Sequence, residues 1–156
     1  MADFKFRSNP GWAKTLALLM RNTPFVEPAL EQATCILPMP LSPQRLRERG
    51  YNQAWELTCQ LTSNRSLRAK RDATLLLRIT DTPPQVSLNR AERLRNLHTA
   101  FAVDPLRSAV LQRQRIVLID DVMTSGASLY AAANTLRAAG ASHITGLVFA
   151  RTDPHF

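Results

Sequence analysis

The feature that most constrains the fold of this chain is an apolar run that ends abruptly in two carboxylates. Residues 116–119 read Ile-Val-Leu-Ile, and Asp120 and Asp121 follow them directly. A short, fully apolar and β-branched run is typical of a central parallel strand that is covered on both faces. Ligands of open α/β sheets bind at the carboxyl ends of such strands. We therefore expect the two acids to lie in a functional site.

The segment after the acids predicts a strand–helix–strand unit. A polar turn leads into a helix pattern with Leu129, Ala132, Ala133 and Leu136 on one face, and Gly140 is a typical helix end. Residues 144–150 then form a second apolar run. Two parallel strands joined by a helix form a right-handed crossover. We predict one α/β domain over residues 1–156, with a mainly parallel central sheet flanked by helices.

The turn itself predicts an anion site. Gly126 allows close approach of the backbone, and N–H groups at a helix N-terminus bind anions. The predicted phosphate-binding residues are Thr124, Ser125, Gly126, Ala127 and Ser128. Asp120 and Asp121 are too close to a bound phosphate to bind it, but they suit sugar hydroxyls, directly or through Mg²⁺ and water. A generic strand–turn–helix with a chance acid pair, or a receiver-domain acid pair, are the alternatives.

This stretch resembles the motif of type I phosphoribosyltransferases that binds 5-phosphoribosyl-1-pyrophosphate (PRPP). That motif has four apolar residues, two acids, two apolar residues, and then Thr, Thr or Ser, Gly, any residue, and Thr or Ser; residues 116–128 match it throughout. The resemblance implies a type I phosphoribosyltransferase-like fold with a hood, or flexible loop, region. It also implies that Asp120 and Asp121 are the catalytic pair, and that Mg²⁺ is held there through the ligand or water.

Further segments are similar to the ComF family, which includes the GntX-type proteins. The matching segments are Pro38-Met39-Pro40, the Arg45-x-Arg47-x-Arg49-Gly50-Tyr51-Asn52-Gln53-Ala54 run, Gln85-x-x-Leu88, and Arg90-x-x-Arg93-x-x-Asn96 followed by Ala100-Phe101. The likeness extends from about residue 4 to 153. It implies a role in DNA uptake and in the use of external DNA by bacteria.

The resemblance also assigns candidate residues outside the acid-and-turn motif. Met39, Pro40, Arg45 and Arg49 are implied to bind pyrophosphate, and the Leu37–Pro38 and Met39–Pro40 bonds are candidates for a cis geometry. Residues 85–98 match the hood loop, which closes over PRPP in this fold. Its candidate contacts are Arg90, Arg93 and Asn96. Simple solvated basic surfaces remain the alternative for both arginine groups.

One departure concerns zinc. ComF relatives usually begin with a cysteine-rich zinc ribbon, and this chain has only Cys35 and Cys59, which are 24 residues apart. A structural zinc site needs about four clustered ligands. We expect no zinc in this chain, which is either a ribbon-less relative or the C-terminal domain of a longer one.

Charge indicates the class of partner. The net charge is +8, and 17 of the 20 cationic side chains are arginine, whose planar fork pairs with phosphate. Residues 44–115 carry the excess. Three functions are compatible with the sequence. The first is a Mg²⁺-dependent phosphoribosyltransferase acting on an unknown acceptor, and the second is a non-catalytic module that binds single-stranded DNA or DNA-uptake and recombination proteins. The third is a PRPP-sensing regulator, which would share the site and lack an acceptor pocket. No apolar run or secretion pattern suggests membrane insertion or export, so we expect a cytoplasmic protein.

The remaining periodicity predicts further elements. A helix beginning at residues 9–10 places Trp12, Leu16, Leu19 and Met20 on its core face. A second helix, opened by Gly50 and Asn52, buries Ala54, Leu57, Thr58 and Leu61. Short strands are expected at residues 35–37, 75–77 and 100–103.

Overall fold

The fold was analysed in a computed structural model that describes residues 11–79 and 100–152. Its helices are α1 (Trp12–Arg21), α2 (Val26–Gln32), α3 (Pro43–Arg49), α4 (Gln53–Leu61), α5 (Arg65–Arg68) and α6 (Ala127–Ala138). Its strands are β1 (Cys35–Pro38), β2 (Leu76–Arg78), β3 (Phe101–Val103), β4 (Arg115–Met123) and β5 (His143–Arg151), and a 3₁₀ turn covers Ser108–Leu111. The predicted α/β class is confirmed.

The described part of the chain forms two sheets. The main sheet has the order β1-β4-β5, and both pairings are parallel, with Leu37 opposite Leu118 and Ile119 opposite Leu147. Strands β2 and β3 form a separate antiparallel ribbon. The parallel pairing of β4 and β5 around α6 confirms the predicted strand–helix–strand unit.

Each face of the main sheet covers its own apolar core. One core contains Leu118 from β4 and Leu136 from α6, together with residues of the β2–β3 ribbon such as Phe101. The other contains Ile119 from β4 and lies beneath α1, α2 and α4, which contributes Leu57. Because both faces are covered, β4 is apolar at consecutive positions, as the sequence pattern indicated.

The buried face of α1 differs from the predicted one. Trp12 and Leu19 are about half exposed, while Ala13, Leu16 and Ala17 are buried together with Met20. Helices α1 and α4 pack against each other, and the two alanines on α1 allow a close approach of the helices. The sequence prediction relied on large apolar side chains. It therefore missed the face of α1 that contacts α4, because that face carries two alanines.

Strand β4 continues further than the apolar run. It extends to Met123, because the second half of β5 pairs with it, with Asp120 opposite Val148 and Val122 opposite Ala150. The two acids therefore lie within the strand and not in the loop after it. Long-range pairing with β5 carries the strand past residues whose own propensity for β structure is low.

The arginine-rich run forms a helix that the sequence analysis missed. Ser42 caps α3, its hydroxyl accepting a hydrogen bond from the N–H of Arg45 at 3.3 Å, and Pro43 occupies the first helical position. Gly50 ends the helix with a left-handed φ of +77°. Serine before proline at the start and glycine at the end are standard helix signals.

The loop between β1 and α3 contains no cis peptide bond. Pro38 is still part of β1 and lies opposite Ile119, so the chain runs through it in an extended conformation. Both candidate bonds, Leu37–Pro38 and Met39–Pro40, are therefore trans, and the expectation of a cis geometry there was wrong.

An ion pair joins the β2–β3 ribbon to the rest of the fold. Asp72 accepts hydrogen bonds from the N–H groups of Thr74 and Leu75 and forms an ion pair with Arg107. Asp72 also donates its backbone N–H to the carbonyl of Ile36 in β1, at 2.9 Å. The segment before β2 is therefore tied both to the main sheet and to the turn after β3.

In residues 11–79 and 100–152, no helix combines the length and the apolar character that crossing a membrane requires.

Candidate functional site

The two acids lie side by side on β4 but belong to opposite faces of the sheet, because side chains alternate along a strand. Asp121 shares its face with Ile119, in the core beneath α1, α2 and α4, and is only 6% exposed. Asp120 shares its face with Leu118, in the core beneath α6, and is partly exposed. The two carboxylates therefore lie on opposite sides of the carboxyl end of β4.

Local hydrogen bonds fix both carboxylates. The backbone N–H of Asp121 donates to Oδ1 of Asp120 at 2.9 Å, and the N–H of Val122 donates to Oδ1 of Asp121 at 2.8 Å. Each acid thus accepts a hydrogen bond from the next residue along the strand. This arrangement holds the carboxylates close to the backbone before any ligand arrives.

The turn after β4 has the shape that the sequence predicted. Gly126 is buried and has a φ of +77°, a conformation that L-residues rarely adopt, and α6 begins at the next residue. A Cβ added to Gly126 would lie 3.2 Å from Sδ of Met123 and 3.3 Å from the ring of Tyr130. Thr124 and Ser125 are exposed, and Ser125 Oγ accepts a weak hydrogen bond from the N–H of Ala127. Ala127 and Ser128 form the first turn of α6.

The predicted pyrophosphate loop is attached to the same strand. The N–H of Met39 donates to the carbonyl of Ile119 at 2.8 Å, directly before the acid pair. The side-chain amide of Asn52 donates to the carbonyl of Met39 at 3.0 Å. Met39 and Pro40 are both buried. The structure thus brings the 38–40 loop, the acid pair and the turn to one edge of the sheet.

The three alternating arginines are not equivalent. Arg45 and Arg49 are four residues apart on α3 and share one face of the helix, and both are half-buried. Arg47 points elsewhere and is exposed. Nη1 of Arg49 donates to Oε1 of Gln53 at 3.2 Å, across the helix end at Gly50. Arg45 and Arg49 fit the assignment from sequence, while Arg47 lies on the solvent side.

Tyr51, two residues after Arg49, lies in the same neighbourhood. Burial raises the pKa of the Tyr51 phenol, the positive charge of Arg49 opposes the rise, and the carboxylates of Glu56 and Asp121 add to it. The phenol is therefore within electrostatic range of both Arg49 and Asp121.

Asn52 and Gln53 contact two of the predicted pyrophosphate residues, Met39 and Arg49, and were not themselves predicted as site residues. Asn52 was expected only to open a helix, and it does cap α4, its Oδ1 accepting from the N–H groups of Ala54 and Trp55. Its amide nitrogen has the second role of holding Met39. The signal available in the sequence was that both residues belong to the run that is similar to the ComF family. The predicted hood contacts Arg90, Arg93 and Asn96 lie outside the described residues and remain predictions.

The donor set is compatible with Mg²⁺ only when a ligand takes part. Among the described residues, no cluster of three or more histidine, cysteine or acidic side chains could hold a metal ion. Asp120 and Asp121 supply carboxylate oxygens at one point. Mg²⁺ commonly binds through one or two carboxylates, several waters and the phosphates of a substrate. The pair therefore fits a Mg²⁺ ion that arrives with a phosphorylated ligand.

The chain is similar in sequence to two groups of curated bacterial proteins. No family model matches it. Competence protein F of Haemophilus influenzae is 33% identical over 146 residues, which cover 90% of this chain and 62% of that protein. DNA utilization protein YhgH of Escherichia coli K12 is 32% identical over 117 residues, covering 75% of this chain and 49% of the relative. The chain thus spans between about half and two thirds of these relatives.

A solved structure supports the fold. The chain is similar to the allosteric regulatory enzyme of purine biosynthesis, a phosphoribosyltransferase, with a TM-score of 0.55 and 14% identity over 95% of this chain and 30% of that one. At that identity the likeness concerns the fold alone. The chain therefore has a type I phosphoribosyltransferase-like fold, and over most of its length it is similar in sequence to Competence protein F and DNA utilization protein YhgH.

Proposed function

We propose that this chain binds PRPP, or a similar ribose 5-phosphate ligand, at the carboxyl end of β4. The observation that carries the proposal is the junction of Asp120 and Asp121 with the left-handed turn at Gly126. The acids suit the vicinal hydroxyls of a ribose, and the turn presents the N-terminus of a helix of twelve residues to a phosphate. A ribose 5-phosphate carries both groups, a vicinal diol and a phosphate.

The 5-phosphate would lie on the N-terminal amides of α6, with the hydroxyls of Thr124, Ser125 and Ser128 as further donors. The pyrophosphate would lie over the 38–40 loop, where Arg45 and Arg49 share one helix face. Mg²⁺, held by Asp120 and Asp121 through the ligand or water, would supply positive charge to the departing pyrophosphate. The residues predicted from the sequence thus form two groups, one for each end of the ligand.

The reaction this arrangement serves is phosphoribosyl transfer. The bond between the anomeric carbon and the pyrophosphate oxygen breaks, and the pyrophosphate leaves with both bonding electrons. An acceptor nucleophile forms the new bond from the opposite face and loses its proton. Positive charge that develops on the sugar is stabilised by fixed carboxylates, and charge on the leaving group by arginine. A nucleobase released from imported DNA is the acceptor class that we propose.

This proposal places the chain in DNA uptake or the use of external DNA. It draws on the roles for which the two sequence relatives, Competence protein F and DNA utilization protein YhgH, are named. Both exceed this chain in length, so their roles enter here as support for the proposal. The compartment we propose is the cytoplasm, where PRPP is available to an intracellular enzyme.

A second candidate is a non-catalytic module that binds single-stranded DNA or competence proteins. The exposed cations Arg47, Arg65 and Arg68 favour it, because they lie outside the ion pairs seen in the described residues and suit a phosphate backbone. Trp55 is a poor stacking platform, since the guanidinium of Arg71 lies 5.2 Å from its ring centroid. A base would have to displace Arg71 to stack there.

Titration calorimetry of PRPP, with and without Mg²⁺, tests the first proposal. Saturable binding that Mg²⁺ strengthens should be lost in Asp121→Asn. Asp104→Asn is the matched control, because it removes one carboxylate charge at a turn and keeps the oxygen that accepts from Leu106. Equal binding by all three proteins would show that PRPP does not use the acid pair.

Two assays separate the candidate functions. An enzyme releases pyrophosphate from PRPP when its acceptor is present, and Asp121→Asn abolishes the release. A DNA module binds single strands in a salt-dependent manner that survives Asp121→Asn. Arg47→Ala should weaken only DNA binding, while Arg49→Ala should weaken pyrophosphate binding as well. Absence of both activities would reject both functions.

A further inference from the structure

Two neighbouring side chains at the start of α4 each hold a different part of the proposed pyrophosphate site. The amide nitrogen of Asn52 donates to the carbonyl of Met39 in the loop after β1. Oε1 of Gln53 accepts from the guanidinium of Arg49 at the end of α3. The loop and the arginine come from separate elements, so the first turn of α4 connects them.

Gln53 is the fixed member of its pair. It is 2% exposed, whereas Arg49 is half-buried and its long side chain has many rotamers. Packing around a buried glutamine limits where its oxygen can lie. A fixed acceptor then limits where the guanidinium can lie, because the hydrogen bond constrains the planar fork. Arg49 is therefore held in place before a ligand binds.

Folding stability does not explain why a glutamine occupies this position. Nε2 of Gln53 is buried and has no hydrogen-bond partner in the part of the chain that the structure describes. A buried donor without an acceptor destabilises a fold, and such atoms are uncommon outside functional sites. A methionine would have similar length and no such atom. What the glutamine adds is the oxygen that faces Arg49.

We infer that Gln53 is a positioning residue that holds Arg49 for the pyrophosphate group of the ligand. Through its neighbour Asn52, the same turn of α4 holds the 38–40 loop, so that the arginine and the loop form one pre-arranged unit. The inference rests on the proposed function and narrows it to one end of the ligand. It assigns Gln53 to pyrophosphate and not to the ribose 5-phosphate end, which the acid pair and the Gly126 turn bind.

Calorimetry with two separate probes tests this assignment. Pyrophosphate with Mg²⁺ represents one end of the ligand, and ribose 5-phosphate represents the other. Gln53→Met should weaken pyrophosphate binding by about tenfold, the size expected for a loosened contact to a charged group. Ribose 5-phosphate binding should stay unchanged, and stability to urea should be equal or higher. Gln60→Met, the same substitution at a half-exposed site of α4, should change neither affinity.

A double-mutant cycle with Arg49→Ala shows whether Gln53 acts through the arginine. If it does, Gln53→Met should cause no further loss of pyrophosphate affinity in the Arg49→Ala background. Additive losses would overturn the inference, because Gln53 would then act independently. A merely structural role would lower stability and would weaken both probes together.

The remaining outcomes are equally decisive. Wild-type pyrophosphate affinity in Gln53→Met would overturn the positioning role and leave the PRPP proposal intact. Failure of the wild type to bind either probe or PRPP would overturn both. If Gln53→Met does not fold, Gln53→Asn replaces it, because the shorter amide keeps the polarity but cannot reach Arg49. It should show the same selective loss, and unchanged pyrophosphate binding would reject the inference.

Discussion

The turn at Gly126 allows the sharpest test of the phosphate site, because a second glycine provides a comparison. Gly126 and Gly50 have the same φ of +77°, but an added Cβ meets nothing within 4 Å at Gly50. At Gly126 it would lie 3.2 Å from Met123 Sδ and 3.3 Å from the Tyr130 ring. Alanine in a left-handed conformation costs about 1 kcal/mol at either site. The two contacts at Gly126 should add roughly 0.5–1 kcal/mol, since both neighbours are side chains that can shift.

We therefore expect Gly50→Ala to lower the free energy of unfolding by about 1 kcal/mol, and Gly126→Ala by about 1.5–2 kcal/mol. Urea denaturation measures both. Gly126→Ala should also weaken PRPP binding by about tenfold, which corresponds to about 1.4 kcal/mol, because the turn directs the amides of α6 at the phosphate. Gly140→Ala, at the other end of α6, should leave PRPP affinity unchanged. Destabilisation of Gly126→Ala without loss of affinity would refute the placement of phosphate at this turn.

Three further predictions concern the fold. The pKa of Asp72 is lowered: burial alone would raise it, but hydrogen bonds from Arg107 and Thr74 outweigh burial. The stability that Asp72 contributes is thus present above its unfolded pKa and is lost as the pH falls through the lower folded pKa, and urea denaturation between pH 7 and 2 should show a smaller acid loss in Asp72→Asn. Ala17→Leu should cost about 1–3 kcal/mol by overpacking the buried face of α1, whereas Leu18→Ala, at a 60% exposed site, should change stability by less than about 0.5 kcal/mol in the same urea assay. Burial, with a contribution from the Asp72 carboxylate, raises the pKa of Cys35 to about 11, so alkylation in the native state at pH 8 should modify the less buried Cys59 first.

The strand–helix–strand unit was predictable because its signals are local. Four consecutive apolar residues at 116–119 require cover on both faces, and a glycine turn followed by a helix pattern leaves few alternatives. Helix α3 has equally local signals, Ser42-Pro43 at its start and Gly50 at its end, but the sequence prediction was based on the charge of its arginines. The presence and the type of these helices and strands therefore follow from interactions between residues that are close in the sequence.

Other features depend on contacts that no local pattern encodes. Strand β4 reaches Met123 only because β5 pairs with it, and α1 buries Ala17 only because α4 packs there. The same applies to the site. The acid pair and the turn are contiguous in sequence, whereas the contact from Asn52 to Met39 spans 13 residues and two element boundaries. Sequence reasoning therefore predicted a site for ribose and phosphate, which stays a prediction, and missed the hydrogen bond that joins Asn52 to Met39.

The most direct test of the central claim is a crystal structure of the protein with PRPP and Mg²⁺. We predict the 5-phosphate at the N-terminus of α6 beside Gly126, the ribose hydroxyls at Asp120 and Asp121, and the pyrophosphate over the loop at Met39 within reach of Arg49. Density for the ligand at any other edge of the sheet, or a phosphate bound only by surface arginines such as Arg47, would contradict the proposed site.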